Sequence, residues 1–206
     1  MTQLTRKERD EARKKKEILA AALEVFAGRG FHGATMAEIS KTSQYPLGTI
    51  YKYFPGKKEM YHDLVITTVQ ELGQILYEIR CSPNLSPVEK LHAALAAQAR
   101  FYQANKEVAR IYISERSNID AVAMPKLNER VNHLHEKMVT LFREIIEQGI
   151  EKKEIKPLPS LDMAELFSDI VHSTAWASLF REEDQSSQDE RLDLVFKMFT
   201  TGILHQ

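Results

Sequence analysis

Two short helices joined by a tight turn are predicted near the amino terminus, and they restrict the fold more than any other feature of the chain. Thr35 and Glu38 have the spacing of a capping box, in which each side chain pairs with the backbone amide of the other residue. A helix is therefore predicted over residues 36–43. After a turn at residues 44–46, a second short helix is expected to extend to about Tyr53.

Helical periodicity continues along the rest of the chain, whereas signals for strands are scarce. One face of a first helix is marked by four apolar residues: Ile18, Ala22, Val25 and Phe26. Gly28 is expected to end that helix in the left-handed conformation. Further helices are predicted over the approximate ranges 57–80, 87–104, 106–118, 125–151, 161–182 and 190–204. The sequence therefore predicts an all-α fold of about nine helices.

Positive charge is concentrated in the first third of the chain. Residues 1–63 contain 12 Lys and Arg against 8 Asp and Glu, whereas residues 64–206 contain 16 against 21. A basic segment joined to an acidic remainder indicates that the first segment meets an anion, either nucleic acid or a membrane surface. The run "RKERDEARKKK" fits a solvated helix, because acids are interspersed with its bases, and it also fits a basic arm on a DNA backbone.

The second short helix has two sides of different polarity on a wheel of about 100° per residue. Its apolar side consists of Leu47, Ile50 and Phe54. Its opposite side consists of Gly48, Thr49 and Lys52. We expect the apolar side to pack on Ile39 and Phe26, which leaves the opposite side free to enter the major groove of DNA, as the second helix of a helix-turn-helix does.

Residues 8–63 resemble the DNA-binding domain of TetR-family transcriptional regulators, through "ILAAALEVFAGRGFHGATMAEIS" followed by "GTIYKYFPGKKEM". The resemblance implies a helix-turn-helix domain at 1–56 and a ligand-binding and dimerisation domain at 57–206, with 57–80 as the connecting helix. It also implies DNA contacts, mostly to phosphates, by Thr35, Thr49, Tyr51, Lys52, Tyr53 and Lys57. The neighbouring Tyr45 and Gly48 complete the predicted DNA-binding surface.

Two positions depart from the family pattern. Gln44 stands at a turn position that the family commonly gives to glycine, and Leu47 stands where a polar or basic groove residue is frequent. Leu47 can therefore contact a thymine methyl group or simply pack against the domain.

A homodimer is expected both from the resemblance and from the pattern of the last two predicted helices. These helices carry apolar residues on more than one side. One side can pack within its own domain and the other against a twin chain, although burial of both sides within one chain is the alternative. The predicted dimer interface consists of Leu166, Ile170, Val195, Phe196 and Phe199.

The resemblance also implies a small effector molecule bound in the C-terminal domain. The residues predicted to line its pocket, with plain core as the alternative, are Phe101, Tyr112, Phe142, Phe167, Val171 and Trp176. Their apolar character favours a lipophilic effector. The segment "EQGIEKKEI" resembles family members that respond to fatty acyl-CoA, so an acyl-CoA is a candidate. The expected function is a repressor that this molecule releases from a pseudo-palindromic operator.

Other classes of function have weaker support. The chain lacks a glycine-rich phosphate loop and the H-E-x-x-H and G-x-S-x-G patterns, so we expect neither an enzyme nor a cofactor. His133 and His135 diverge on a helix, so no metal site is expected. The chain has no apolar segment of about 20 residues and no secretory signal, and we expect it in the cytoplasm. A helical adaptor or membrane-surface module is the rival to a DNA-binding regulator.

Overall fold

The computed structural model of the chain describes residues 5–106, 109, 125–179 and 185–204, without the side chains of 125–128, 175, 176, 178, 179 and 185. The helices of this part of the chain are α1 (Arg6–Gly33), α2 (Met36–Ser43), α3 (Leu47–Tyr53), α4 (Lys57–Cys81), α5 (Pro87–Ala104), α6 (Pro125–Glu151), α7 (Ser160–Leu179) and α8 (Gln185–Ile203). The predicted all-α class is confirmed. Most of the helix predicted over 106–118, and the end of the one predicted over 161–182, lie outside the described residues.

The chain forms two compact units, Met1–Thr67 and Thr68–Gln206. The N-terminal unit has its core where α1, α2, α3 and the first turns of α4 meet. This core contains the predicted residues Phe26, Ile39, Ile50 and Phe54, each at most 4% exposed. Phe26 also makes an edge-on contact with Tyr61 of α4, with ring centroids 5.2 Å apart. Leu47, at 39% exposed, lies outside this core.

The end of the first helix differs from the prediction. The sequence predicts that Gly28 stops the helix, but this residue lies within α1, and the interruption falls at Gly30, where φ is 67° and ψ is 169°. A positive φ combined with a ψ near 180° is open essentially to glycine alone, so Gly30 allows the chain to kink there and resume a helical turn. The prediction for Gly28 is therefore wrong by two residues, because the sequence offers two glycines within one helical turn.

The C-terminal unit is a bundle in which α7 packs on α5, α6 and α8. Phe167 of α7 lies at its centre, with its ring 5.0 Å from that of Phe142 in α6 and 5.1 Å from that of Phe199 in α8. Aromatic rings at this spacing bury a large apolar area, and the Phe142–Phe167 pair, at 88° between planes, adds an edge-to-face attraction. These contacts join three consecutive helices.

The turn between α2 and α3 depends on one residue in a left-handed conformation. Gln44 is the C-cap of α2 and has φ 57° and ψ 18°. An L-residue in this region brings its Cβ close to the following carbonyl oxygen, whereas glycine has no Cβ. The turn therefore has glycine geometry, although the sequence supplies glutamine.

We predict that Gln44→Gly raises the free energy of unfolding by about 0.5–1 kcal/mol, since relief of the Cβ contact outweighs the added freedom of glycine in the unfolded chain. Gln44→Ala is the matched control: alanine keeps the Cβ and should leave the stability close to that of the original chain. Urea unfolding of the three proteins measures the difference. A glycine variant no more stable than the alanine variant would show that the turn carries no strain.

Candidate nucleic-acid interface

The helix-turn-helix geometry of α2 and α3 arises from local side-chain caps. The hydroxyl of Thr35 accepts from the Glu38 amide at 3.2 Å, and the Glu38 carboxylate accepts from the Thr35 amide at 3.1 Å, which confirms the predicted capping box. At the far end of α2, the hydroxyl of Ser40 donates to the carbonyl oxygen of Tyr45 at 2.7 Å. The Ser40 hydrogen bond spans the turn, and α3 follows it directly from Pro46, which forms no side-chain cap.

Apolar packing determines which side of α3 faces solvent. Ile50 is fully buried and Phe54 is 1% exposed, so the opposite side of the helix is directed outward. We call this outward side the α3 face; it consists of Gly48, Thr49, Tyr51 and Lys52. Tyr51 is 48% exposed and Lys52 is exposed, whereas Thr49 is half-buried. A Cβ placed on Gly48 would meet no atom within 4 Å, so Gly48 lies on an open surface.

The α3 face is suited to an anion. Residues Leu47–Tyr53 include a lysine, a threonine and two tyrosines but no carboxylate. Hydroxyl and ammonium groups are the donors that proteins present to phosphate oxygens and base edges. Tyr53 is half-buried at the end of this helix, and Leu47 is exposed at its start, where a methyl-bearing base could meet it.

Thr35 and Tyr45, which are also predicted to contact DNA, have partners inside the N-terminal unit. The Thr35 hydroxyl lies 2.9 Å from the carboxylate of Glu38. The Tyr45 hydroxyl donates to the carboxylate of Glu17 in α1. This hydrogen bond to Glu17 raises the pKa of Tyr45, because the proton is held by the acceptor. Both hydroxyl groups are therefore fixed in position.

Lys57 has a structural position that the sequence did not indicate. Its ammonium group donates to the carbonyl oxygen of Ala34 at 2.8 Å and to that of His32 at 3.2 Å, and it lies 4.7 Å from the centre of the Phe31 ring. These contacts attach the start of α4 to the segment that joins α1 and α2. Since an ammonium group has three donors, one is left for a further acceptor.

Arg13 and Glu17 of α1 are connected to the turn before α3, although no sequence motif singles them out. The Arg13 guanidinium lies 3.3 Å from the carboxylate of Glu17, which also accepts from Tyr45. The i, i+4 spacing of the pair is visible in the sequence. Its connection to the turn is not, because Tyr45 lies 28 residues further along the chain.

The residues predicted for an effector pocket lie in the core of the C-terminal unit where they are described. Phe142, Phe167 and Val171 are at most 1% exposed, and Phe101 is half-buried. Tyr112 and the side chain of Trp176 lie outside the described residues.

The residues predicted for a dimer interface divide into two groups. Phe199 is buried against Phe167, and the ring of Phe196 lies 4.7 Å from that of His92, so these two side chains pack within their own unit. Leu166 is 56% exposed, and Ile170 and Val195 are half-buried.

An apolar groove of about 560 Å³, which we call the α7–α8 face, is lined in part by Leu166, Ile170, Val195 and Met198. Met198 is 70% exposed.

The described part of the chain holds neither a metal-binding cluster nor a membrane-spanning helix. No group of three or more His, Cys, Asp or Glu side chains is placed to hold a metal ion within it. None of its helices has the length and apolar character needed to cross a membrane.

Family comparisons identify both parts of the chain. The family described as bacterial regulatory proteins, tetR family, matches residues 18–64. The family described as tetracyclin repressor-like, C-terminal domain, matches residues 84–203.

Individual relatives agree with these matches. The chain is 29% identical over 144 residues to the HTH-type transcriptional regulator YhgD of Bacillus subtilis, covering 70% of this chain and 73% of the relative. It is 24% identical over 144 residues to the fatty acid metabolism regulator protein of the same organism, with 68% and 70% covered. The solved structure of the regulator FadR from Bacillus subtilis in complex with stearoyl-CoA has a TM-score of 0.74 at 21% identity, covering 92% of this chain and 99% of that one.

Proposed function

The chain belongs to the TetR family of DNA-binding transcriptional regulators, and we propose that it represses its target genes by placing the α3 face in the major groove of an operator. The observation that carries the proposal is the polarity of α3. Burial of Ile50 and Phe54 directs Lys52 outward from a helix without a carboxylate. A lysine there can meet guanine O6 and N7 or a phosphate, and the Thr49 hydroxyl can meet either kind of acceptor.

We infer that the other predicted contacts bind the DNA backbone beside Lys52. Tyr51 and Tyr53 flank Lys52 and offer hydroxyl donors to phosphates. Thr35, Tyr45 and Lys57 already have intramolecular partners, so their polar groups are held in fixed positions beside a bound backbone. Such pre-organised groups lose less conformational entropy when DNA binds than free side chains do.

Lys52→Met should weaken DNA binding without changing stability. If Lys52 neutralises one phosphate, the log–log slope of affinity against salt concentration should fall by about 0.9 per subunit. Lys57→Met makes the same change of side chain at a lysine that has partners inside the N-terminal unit. It removes the charged donor to Ala34 and His32 and should lower the free energy of unfolding by about 1–3 kcal/mol.

Both lysine variants are measured by fluorescence anisotropy on a duplex that the original chain enriches from a random-sequence library, and by urea unfolding. A Lys52→Met protein that keeps the original affinity and salt slope would contradict the assignment of α3 as the DNA-reading helix.

We propose that two chains associate through the α7–α8 face. This face carries exposed apolar side chains on two adjacent helices, and Met198 and Leu166 are among the most exposed large apolar residues described. An apolar patch of this kind is stabilised when a twofold-related copy covers it. Phe199 also lines this groove and contacts Phe167 of α7.

Leu166→Glu should convert the dimer to a monomer, because the charge would be desolvated at the subunit contact. Leu161→Glu is the control: Leu161 lies on the same helix at 46% exposure but lines a different groove, between α6 and α7. Sedimentation velocity distinguishes the two species. Equal sedimentation of both variants and the original chain as dimers would place the interface elsewhere.

We propose that the effector is a lipophilic molecule of the acyl-CoA class. Two observations support this class: a relative is named a fatty acid metabolism regulator, and a structural neighbour was solved with stearoyl-CoA. The predicted pocket residues Phe142, Phe167 and Val171 are apolar and at most 1% exposed, so an acyl chain would contact them once the core opens to admit it. The connecting segment 57–80 belongs to one continuous helix, α4, which offers a mechanical route for a ligand to release the operator.

Stearoyl-CoA should raise the melting temperature of the protein and lower its operator affinity by about 5–150-fold, which corresponds to a coupling of roughly 1–3 kcal/mol. By reciprocity, operator DNA should weaken stearoyl-CoA binding by the same factor. Val171→Trp should block stearoyl-CoA and preserve DNA binding, since the larger side chain would fill the pocket.

Because Val171 is 1% exposed, the tryptophan should also cost about 1–3 kcal/mol of stability through overpacking, which urea unfolding measures. Equal stearoyl-CoA affinity with and without operator would contradict the allosteric mechanism.

A further inference from the structure

The first three turns of α1 form a basic helix that precedes the family match. The match begins at residue 18, whereas α1 begins at Arg6. Residues 6–16 contain seven Lys and Arg and three Asp and Glu. A capping box between Thr5 and Glu8 closes the start of this helix, with the Glu8 carboxylate 2.7 Å from the Thr5 amide. The positive charges are therefore held on a capped helix.

The basic residues of this segment are not spread evenly around the helix. At about 100° per residue, four of them fall within an arc of about 80°. We call these four the α1 stripe; they are Arg6, Arg9, Arg13 and Lys16. The three acids fall outside this arc, and Glu8 is occupied by the cap. Arg13 is paired with Asp10 and Glu17 at 3.7 and 3.3 Å.

The other members of the stripe present unneutralised charge to solvent. Arg6, Arg9 and Lys16 are exposed. Within the described residues, none of the three is hydrogen-bonded or ion-paired to another side chain. The stripe therefore places a cation on every turn of the helix. Among its four described members, Arg13 alone forms ion pairs.

The α1 stripe lies on the same side of the N-terminal unit as the turn before α3. Glu17 adjoins the stripe on the helical wheel and accepts a hydrogen bond from Tyr45 in that turn. The opposite side of α1 is used for packing: Lys15 lies 2.7 Å from the carboxylate of Asp63 and 5.4 Å from the centre of the Phe54 ring. The rotation of α1 is thus fixed, with the stripe directed away from the core.

We propose that the α1 stripe is a second DNA contact, which binds backbone phosphates beyond the base pairs that α3 reads. The proposal rests on the proposed DNA-binding function of the α3 face. From Arg6 to Glu17 the helix rises about 16 Å at 1.5 Å per residue. That length spans about five base pairs at 3.4 Å each, so several phosphates lie within reach of the stripe.

Phosphate is favoured over a lipid surface by the composition of the segment. Helices that bind at a membrane interface bury large apolar side chains opposite their basic face. The only apolar residue within residues 6–16 is Ala12. The stripe therefore supplies charge without an inserting face, which suits a duplex backbone.

The test compares two double variants that remove the same charge from the same helix. Arg6→Gln with Arg9→Gln removes two residues of the stripe, and Lys7→Gln with Lys14→Gln removes two cations from a different side. Each is titrated with the duplex enriched by the original chain, over a range of salt concentrations. The full-length protein is used throughout, and circular dichroism checks that both variants retain their helix content.

The stripe variant should bind more weakly, and its log–log salt slope should fall by about 0.9 for each phosphate that it no longer neutralises. The control variant should keep most of the original slope. Equal slopes for the two variants would contradict the assignment of the stripe as a second DNA contact, even if the duplex still binds through α3. Failure of the original chain to enrich or retain any duplex would instead contradict the proposed function, and the stripe with it. Retention of the original chain, but not the stripe variant, on anionic vesicles in place of duplex would assign the stripe to a membrane.

Discussion

The burial of Ile50 and Phe54 sets the rotation of α3 about its own axis, and the exposed chemistry of the N-terminal unit depends on that rotation. Full burial of one large apolar side chain stabilises a fold by about 1.5–3 kcal/mol, whereas an exposed ion pair contributes about 0–1 kcal/mol. Burial of these two apolar side chains therefore outweighs any preference of the charged groups. Lys52 faces outward as a consequence of what its neighbours bury.

The cations of the N-terminal unit then separate into two classes. Lys15 and Lys57 have partners within the unit, a carboxylate in one case and two carbonyl oxygens in the other. Lys52 and three members of the α1 stripe, Arg6, Arg9 and Lys16, do not, among the residues that the structure describes. The first class fixes α1 relative to α2 and α4, and we infer that the second class supplies the field that attracts a polyanion. All of these residues contribute equally to the net charge of the sequence, but only the second class is free of intramolecular partners among the described residues.

Features determined by neighbouring residues could be predicted from the sequence, and features determined by distant ones could not. The capping box of Thr35 is complete within four residues, and its prediction is confirmed. The acceptors of Lys57 lie 25 and 23 residues earlier in the chain, and no local pattern points to them. The two apolar sides of α8 are visible as a pattern. Contacts with Phe167 and His92, which belong to other helices, decide which side is covered within the unit. The exposure of Met198 could therefore not be predicted from the sequence.

The central claim is that a twofold pair of these chains reads two copies of one DNA half-site through α3. Hydroxyl-radical footprinting of a duplex enriched by the full-length protein tests it most directly. The account predicts two protected half-sites of inverted sequence, with centres one helical turn, about 34–36 Å, or a multiple of it apart. Enrichment of no sequence at all, or protection of a single half-site without a symmetric partner, would contradict it.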